Sequence, residues 1–379
     1  MNARDARCTP LPVVVLPAKD ECLGSWIGRV AAVYAVSTPS LLAHFGIQSR
    51  GTSYRNWLTL GGLNAAEMMN LARALRRATD TLKAMATSPW NLIGTAEFGM
   101  CAHCMLETSI AGHPIYWRSD WLNATTVGCP KHSTWLTGVA GTVFIQSANW
   151  LGVDRIILEL AKRTVARASN QHLPDLTGPV NMSALNLQAI FSGRASDRVA
   201  QVRYGATSSG EARLVAQDLL DAMLATDSSD WGGSGLTAFS SLLGVPIASA
   251  SLSITPRVTR SNCIRHVKRL EARIFAMAVV DNLMSASARI DSPDAQQERN
   301  DANSLRTHWL WTLMPSSSLA LLTERAANWP TNYVTVCWPE LENIGQVPML
   351  HRKKRLITLR ANREKTRANI HRLANIRAN

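Results

Sequence analysis

Helical spacing dominates the apolar positions of this chain. In "DECLGSWIGRVAAVYAVS" the residues Leu23, Trp26, Ile27, Val30, Val33 and Tyr34 recur three and four apart, which predicts a first helix with one apolar stripe. "STPSLLAHFG" carries its own boundaries: Ser37 or Thr38 to cap, Pro39 for the first helical position, and Gly46 just past the end. A third helix is expected in "NAAEMMNLARALRRA", where Asn64 caps and Glu67, three residues on, returns the bond. Met68, Leu71, Leu75 and Leu82 then face one way, while Arg73, Arg76 and Arg77 lie away from that stripe.

The pattern stays helical further along. Leu151 to Ala168 reads as a helix, and the polar, Pro/Gly-bearing stretch from Ser169 to Pro179 reads as a linker. "EARLVAQDLLDAMLATD" is amphipathic, "SSDWGGSG" is a glycine-rich break, and "CIRHVKRLEARIFAMAVVDNLM" predicts a long helix with basic residues on its early face. "DSPDAQQERNDANS" reads as a polar loop, and "THWLWTLMP" and "NYVTVCWPE" as short apolar segments, the second of them strand-like. Strand patterning is otherwise scarce and no repeat is visible. The expectation is a mainly α fold: an N-terminal helical region resembling a helix-turn-helix, a small cysteine-bearing module, and a further helical C-terminal region.

Two composition facts narrow the setting. No run of eighteen apolar residues exists, so no membrane partner is expected, and prolines break the apolar "LPVVVLP" near the start, which reads as the entry to the first helix. A cytoplasmic, nucleoid-associated address follows, where clustered cysteines are metal ligands more often than disulfides.

Three of the seven cysteines fall between residues 98 and 136. Cys101 and Cys104 form a C-x2-C pair, and after twenty-four residues Cys129 and His132 form a C-x2-H pair. Two-residue gaps let each pair converge on one ion, so this set supplies the four ligands of a tetrahedral zinc. The competing reading is two unrelated pairs packed as small apolar side chains. Four protein ligands leave no open position for water, and neither H-E-x-x-H nor H-x-E…P-C-x-x-C occurs, which favours one structural zinc over a catalytic one. Trp117, Trp121, Trp135 and Trp150 crowd the same region, where aromatics and a metal would share the task of holding a module too small for a full core.

Charge adds a second theme. From His351 to Asn379 there are ten Lys/Arg against one acid, which places +9 of the chain's +13 in the last twenty-nine residues. A basic arm on a mildly basic body fits a polyanion, most simply DNA. Arg352, Lys353, Lys354, Arg355, Arg360 and Arg363 are candidate phosphate contacts there. Arg73, Arg76 and Arg77 are candidates on the third helix, with an ordinary solvated helix face as the alternative.

The opening "LPAKDECLGSWIGRVAAVYAVSTPSLLAHFG" and the later "CAHC…IYWRSDWLNATTVGCPKHSTWL" together resemble the TniQ family, related to TnsD. Glu21, Leu23, Ser25, Trp26, Ile27 and Arg29 match the first motif; Cys101, Cys104, Tyr116, Arg118, Trp121, Cys129, Pro130, His132 and Leu136 match its zinc module. The resemblance covers roughly residues 10 to 140. It implies a non-enzymatic target-selection protein of a cut-and-paste transposon, with DNA, a transposase and an AAA+ ATPase as partners. Relatives attached to CRISPR effector ribonucleoproteins extend that list, and a second copy of the chain completes it. Two departures stand out: Ala102 replaces a common proline, and no second C-x2-C pair follows between Thr137 and Trp150, so one zinc is expected.

The expected organisation is residues 1–95 as the helical TniQ-like region, 96–150 as the zinc module, 151–349 as a helical region of one or two subdomains, and 350–379 as the basic tail. The leading functional expectation is a DNA-binding adaptor that bridges a target-recognition element to the ATPase. The alternative is a protein-interaction scaffold without a DNA contact of its own. An enzyme is disfavoured: no P-loop and no paired nucleophile and base are present. Trp26 is expected in the core, and Arg29 is expected to pair with an acid within the fold rather than mark a binding site.

Overall fold

The computed structural model describes residues 9–47, 57–60, 63–86, 91–92, 96–146, 149–170, 179–224, 263–285 and 316–329. The basic tail, the linker beyond residue 170, and the segments 228–235, 291–304, 307–315 and 332–340 singled out above lie outside the described residues. The molecule is mainly helical. It divides into two units, one of residues 1–178 with 264–274, the other of residues 179–263 with 275–379.

The first unit begins with an irregular segment that lies along α1 (Leu23–Val33). Trp26 Nε1 donates to the Val15 carbonyl, an Arg29 Nη donates to that of Leu16, and the Tyr34 hydroxyl meets the backbone of Val13. Leu23, Trp26, Ile27 and Val30 of the expected stripe are buried, whereas Val33, the last residue of the helix, is exposed. After a tight turn, α2 (Thr38–His44) is capped by Ser37, whose side chain accepts from Ser40 N–H. Pro39 sits one place later than expected, and Gly46 follows the end with φ +76°.

The helix α3 (Ala65–Leu75) opens with the expected reciprocal box of Asn64 and Glu67. It does not continue to residue 82. Arg76 takes a left-handed conformation, φ 52°, and α4 (Thr79–Ala86) starts afresh, so Leu82 reaches the core from a second helix. A helix ending of this kind usually carries glycine, and an arginine there gives no warning in the sequence.

Two small antiparallel sheets, absent from the sequence reading, frame the cysteine segment. The strand β1 (Glu97–Met100) runs into α5 (Ala102–Ile110), and the chain then returns through β2 (Gly128–Cys129), β3 (Thr134–Trp135) and β4 (Thr137–Ala140). β1 pairs with β4, Phe98 opposite Val139, and β2 pairs with β3, Cys129 opposite Thr134. The short α6 (Thr142–Gln146) and the long α7 (Trp150–Asn170) close the unit. Phe144 on α6 is wholly buried and meets Trp57, Phe98 and Trp117 edge-on at centroid distances of 5.6, 5.8 and 5.2 Å. These T-shaped pairs set positive ring edges against negative faces. They make one aromatic core for the N-terminal helices and the cysteine module together.

Residues 264–274 complete this unit through Glu97. Its N–H donates to the Lys268 carbonyl, and its carboxylate accepts from Arg269 and from the N–H of Leu270, the first residue of α11 (Leu270–Ser285). Arg273, fully buried, donates to the carbonyls of Glu97 and Val267, and burial lowers its guanidinium to about 10. Here the expected long helix is corrected: Cys263–His266 form a 3-10 turn, and the α-helix begins only at Leu270.

The second unit holds α8 (Pro179–Phe191), α9 (Asp197–Tyr204), α10 (Ser209–Leu224), the rest of α11, and α12 (Ser316–Ala326). The expected amphipathic helix is α10, but Leu219 to Leu224 are buried on every side. Its buried carboxylates are all engaged. Asp218 accepts from Arg325 and Trp329 Nε1, and Asp221 from Cys263 N–H; on α11, Asp281 accepts from Arg203 and the Tyr204 hydroxyl. Buried charges are tolerated only when matched in this way.

Candidate metal centre

Each half of the cysteine cluster is positioned by backbone geometry. Cys101 is the N-cap of α5, with extended backbone, and its Sγ accepts from Cys104 N–H one turn on. Cys101 and Cys104 therefore project from the first turn of one helix. Cys129 ends β2, and Ser133 with φ 51° turns the chain back into β3, which lifts His132 toward the same point.

The four side chains converge: Cys101 Sγ, Cys104 Sγ, Cys129 Sγ and His132 Nδ1 all lie within 4.8 Å of one another. Nδ1 is 3.3 Å from Cys101, 3.3 Å from Cys104 and 3.6 Å from Cys129, and Cys104 is 3.8 Å from Cys129. A tetrahedral ion with Zn–S near 2.3 Å and Zn–N near 2.05 Å requires edges of about 3.8 Å between sulfurs and about 3.6 Å between sulfur and nitrogen. These four edges agree within a few tenths of an ångström, and the other two are no longer than 4.8 Å. Three thiols and an imidazole are also the soft and borderline donors that such an ion selects. The cluster could hold one metal ion, and the donor set and the spacing both fit it.

Electrostatics points the same way. The Cys101 and Cys104 thiols hydrogen-bond to Cys129 and pull its ionisation well below the ordinary thiol range. Cys104 is pushed far up by the sulfurs of Cys101 and Cys129, and Cys101 is also raised, the hydrogen bond from Cys104 being outweighed by Cys129 and by burial. Three sulfurs this close cannot all ionise unaided, and a central cation lifts that restriction. Burial works to lower the His132 imidazole, but hydrogen bonds to Glu107 and Cys129 prevail and raise it.

Beside Cys104 lies a shallow cavity of about 310 Å³, lined also by Glu107, His113, Tyr116, Arg118 and Lys131 among others. Arg118 is held by a two-pronged contact with Asp120 and lies over the Trp121 ring at 5.7 Å, so these residues fix the loop between the ligand pairs. His103 sits beside the ligand imidazole, ring centroids 5.4 Å apart, and is not part of the four.

The module is tied to α1 by a buried polar chain that sequence reasoning glimpsed only in part. Trp117 N–H donates to Ser25 Oγ, Ser25 Oγ donates to Glu21, and Glu21 also receives Ala18 N–H and pairs with Arg29 at 3.1 Å. Arg29 thus pairs with an acid within the fold, as expected. Its partner Glu21 was not identified: it stands just before Cys22, the N-cap of α1, while Ser25 and Arg29 lie one turn apart on the helix.

The candidate DNA contacts divide. Arg73 and Arg76 are exposed, Arg77 is half-buried with its Nε lacking a hydrogen-bond partner among the described residues, and the break at Arg76 means the three do not share a helix face. Arg352, Lys353, Lys354, Arg355, Arg360 and Arg363 lie outside the described residues. No helix among the described residues is long and apolar enough to cross a membrane.

No curated protein and no solved structure matches the chain. Residues 12–136 match the TniQ family model, a span that runs from the segment along α1 to the residue after β3 and takes in all four clustered ligands. This region is therefore a TniQ domain, which implies a protein associated with transposition.

Proposed function

We propose that this protein is a target-selection adaptor for transposition, which binds DNA and bridges a target-recognition element to an AAA+ ATPase that acts with a transposase. The observation that carries the reading is the TniQ match over residues 12–136 with its complete Cys3His cluster inside. One structural zinc occupies that cluster and stabilises the module; four protein ligands leave it no site for chemistry. DNA affinity comes largely from phosphate contacts, and the ten Lys/Arg spread from Arg352 to Arg377, with Arg73 and Arg76, support it.

The test is duplex DNA affinity measured across a salt series. Each phosphate neutralised adds about 0.9 to the slope of log affinity against log salt. The full chain is expected to show a slope of several units, and truncation after Leu350 to flatten it. Affinity that is absent, or indifferent to salt, counts against direct DNA binding.

A second reading, a docking scaffold without its own DNA contact, draws support from Val13, Leu16, Val33 and Val36. These are exposed apolar side chains on the N-terminal segment and at the end of α1, which Tyr34 ties together. Capture of the purified ATPase, or of a CRISPR effector ribonucleoprotein, by nuclease-treated protein that does not bind DNA favours this reading.

A further inference from the structure

One carboxylate beside the cluster has a place that the fourfold ligand set does not explain. Glu107 lies on α5, three residues beyond Cys104 and so one turn along the same face. One of its oxygens is 2.9 Å from His132 Nε2, and the other meets Lys131 Nζ. The opposite edge of the same imidazole presents Nδ1 to three sulfurs at 3.3 to 3.6 Å.

A neutral imidazole carries one proton, and a ligating nitrogen must offer its lone pair. The proton must then sit on the other nitrogen, and whatever accepts from it sets both the tautomer and the plane of the ring. The geometry points to Glu107 as a positioning residue: it accepts from His132 Nε2–H and so holds Nδ1, not Nε2, as the donor to the metal. The inference rests on reading the cluster as a metal centre. It gives α5 two tasks, since the helix supplies Cys101 and Cys104 for one half of the site and the brace for the imidazole of the other half. Lys131, paired with the second oxygen, orients the carboxylate without touching the ring.

The experiment uses the full chain. Zinc affinity is measured by competition with a chromophoric chelator for the wild type, Glu107→Ala, Glu107→Gln and Lys131→Ala, with circular dichroism as the check on folding. Loss of such a brace costs roughly 10–100-fold in metal affinity, and Glu107→Ala is expected in that range. Glu107→Gln falls between, because its amide oxygen still accepts from Nε2–H, and Lys131→Ala stays close to the wild type. In cadmium-loaded wild-type protein with nitrogen-15 histidine, spin coupling is expected on Nδ1 of His132. That measurement shows which nitrogen ligates even where Glu107→Ala fails to fold, and Glu107→Gln then reads the contribution of the carboxylate. Wild-type affinity in Glu107→Ala, or coupling on Nε2, overturns the assignment of Glu107 and leaves the metal centre standing. A wild type that binds no zinc overturns both.

Discussion

Ser25 exposes no surface, yet its hydroxyl serves two partners that belong to distant parts of the chain. It donates to Glu21 at 2.8 Å and accepts from Trp117 N–H at 2.9 Å, while Cys22 N–H donates to the Trp117 carbonyl at 2.8 Å. Burial pushes the Glu21 carboxyl up, against the opposing pull of Arg29, Ala18 and Ser25, so each donor matters to a group held away from water. Replacing Ser25 by alanine leaves a buried backbone N–H without its acceptor and a buried carboxylate short of a donor. The cost of an orphaned buried polar group is about 1–3 kcal/mol, and Ser25→Ala is expected to lose that much stability in urea denaturation. A change under about 0.5 kcal/mol, the usual size for a surface site, contradicts this role. The motif around Ser25 was legible as a set of residues that wanted explanation. Its meaning was not, because the residue it joins stands ninety-two positions away and contributes only a backbone amide, which carries no side-chain signature. Glu107 was missed for a different reason: attention to metal spacing stops at the ligands, whereas its relation to Cys104 is one helical turn.

At the scale of elements, α1 is built to be approached closely. A Cβ on Gly24 would lie 2.3 Å from the Leu58 carbonyl oxygen and 2.4 Å from that of Trp57, and one on Gly28 would meet the Trp150 ring at 2.8 Å. Backbone oxygens cannot rotate away as a flexible side chain can. On propensity alone, alanine in a helix gains about 1 kcal/mol over glycine. At Gly24 the clash reverses that sign, and overpacking of this kind costs about 1–3 kcal/mol or more. Gly24→Ala is therefore expected to lower the midpoint of denaturation, whereas Gly152→Ala on α7, where a Cβ meets nothing within 4 Å, is expected to raise it slightly. Equal effects at the two sites contradict the close approach. The pair Gly24 and Gly28, four apart on a helix, was available in the sequence as a sign of tight packing. The four strands were not, since pieces of two to four residues are too short to show alternation. Helix α3 shows the limit from the other side. Its start was legible because the box of Asn64 and Glu67 is side-chain chemistry, and its end was not because Arg76 adopts a conformation its identity does not announce.

For the whole molecule, the division into two units means that stabilisation by a metal in the cluster need not be shared equally. The cluster lies in the unit of residues 1–178 with 264–274, and the binding energy of a metal ion held there would be folding energy. Within that unit the module is continuous with its surroundings. Trp117 touches both the Phe144 core and Ser25, and Glu97 on β1 holds the start of α11. The second unit is closed by its own buried pairs, Asp281 with Arg203 and Tyr204, and Asp218 with Arg325 and Trp329. Removal of the metal by a chelator, or its exclusion by Cys104→Ser, is therefore expected to raise amide hydrogen exchange in β1, α5 and the β2–β3 hairpin first. Exchange in α1 should follow, because its anchor at Trp117 is lost. Helices α9 and α10 should keep their protection, since among the described residues the pairs that hold Asp218, Asp221 and Asp281 do not involve the cluster. Metal content measured on the same samples ties the exchange to the ion. If chelation leaves exchange unchanged throughout, the cluster does not stabilise the fold; if it raises exchange equally in α10, the two units fold as one cooperative body and the local account fails.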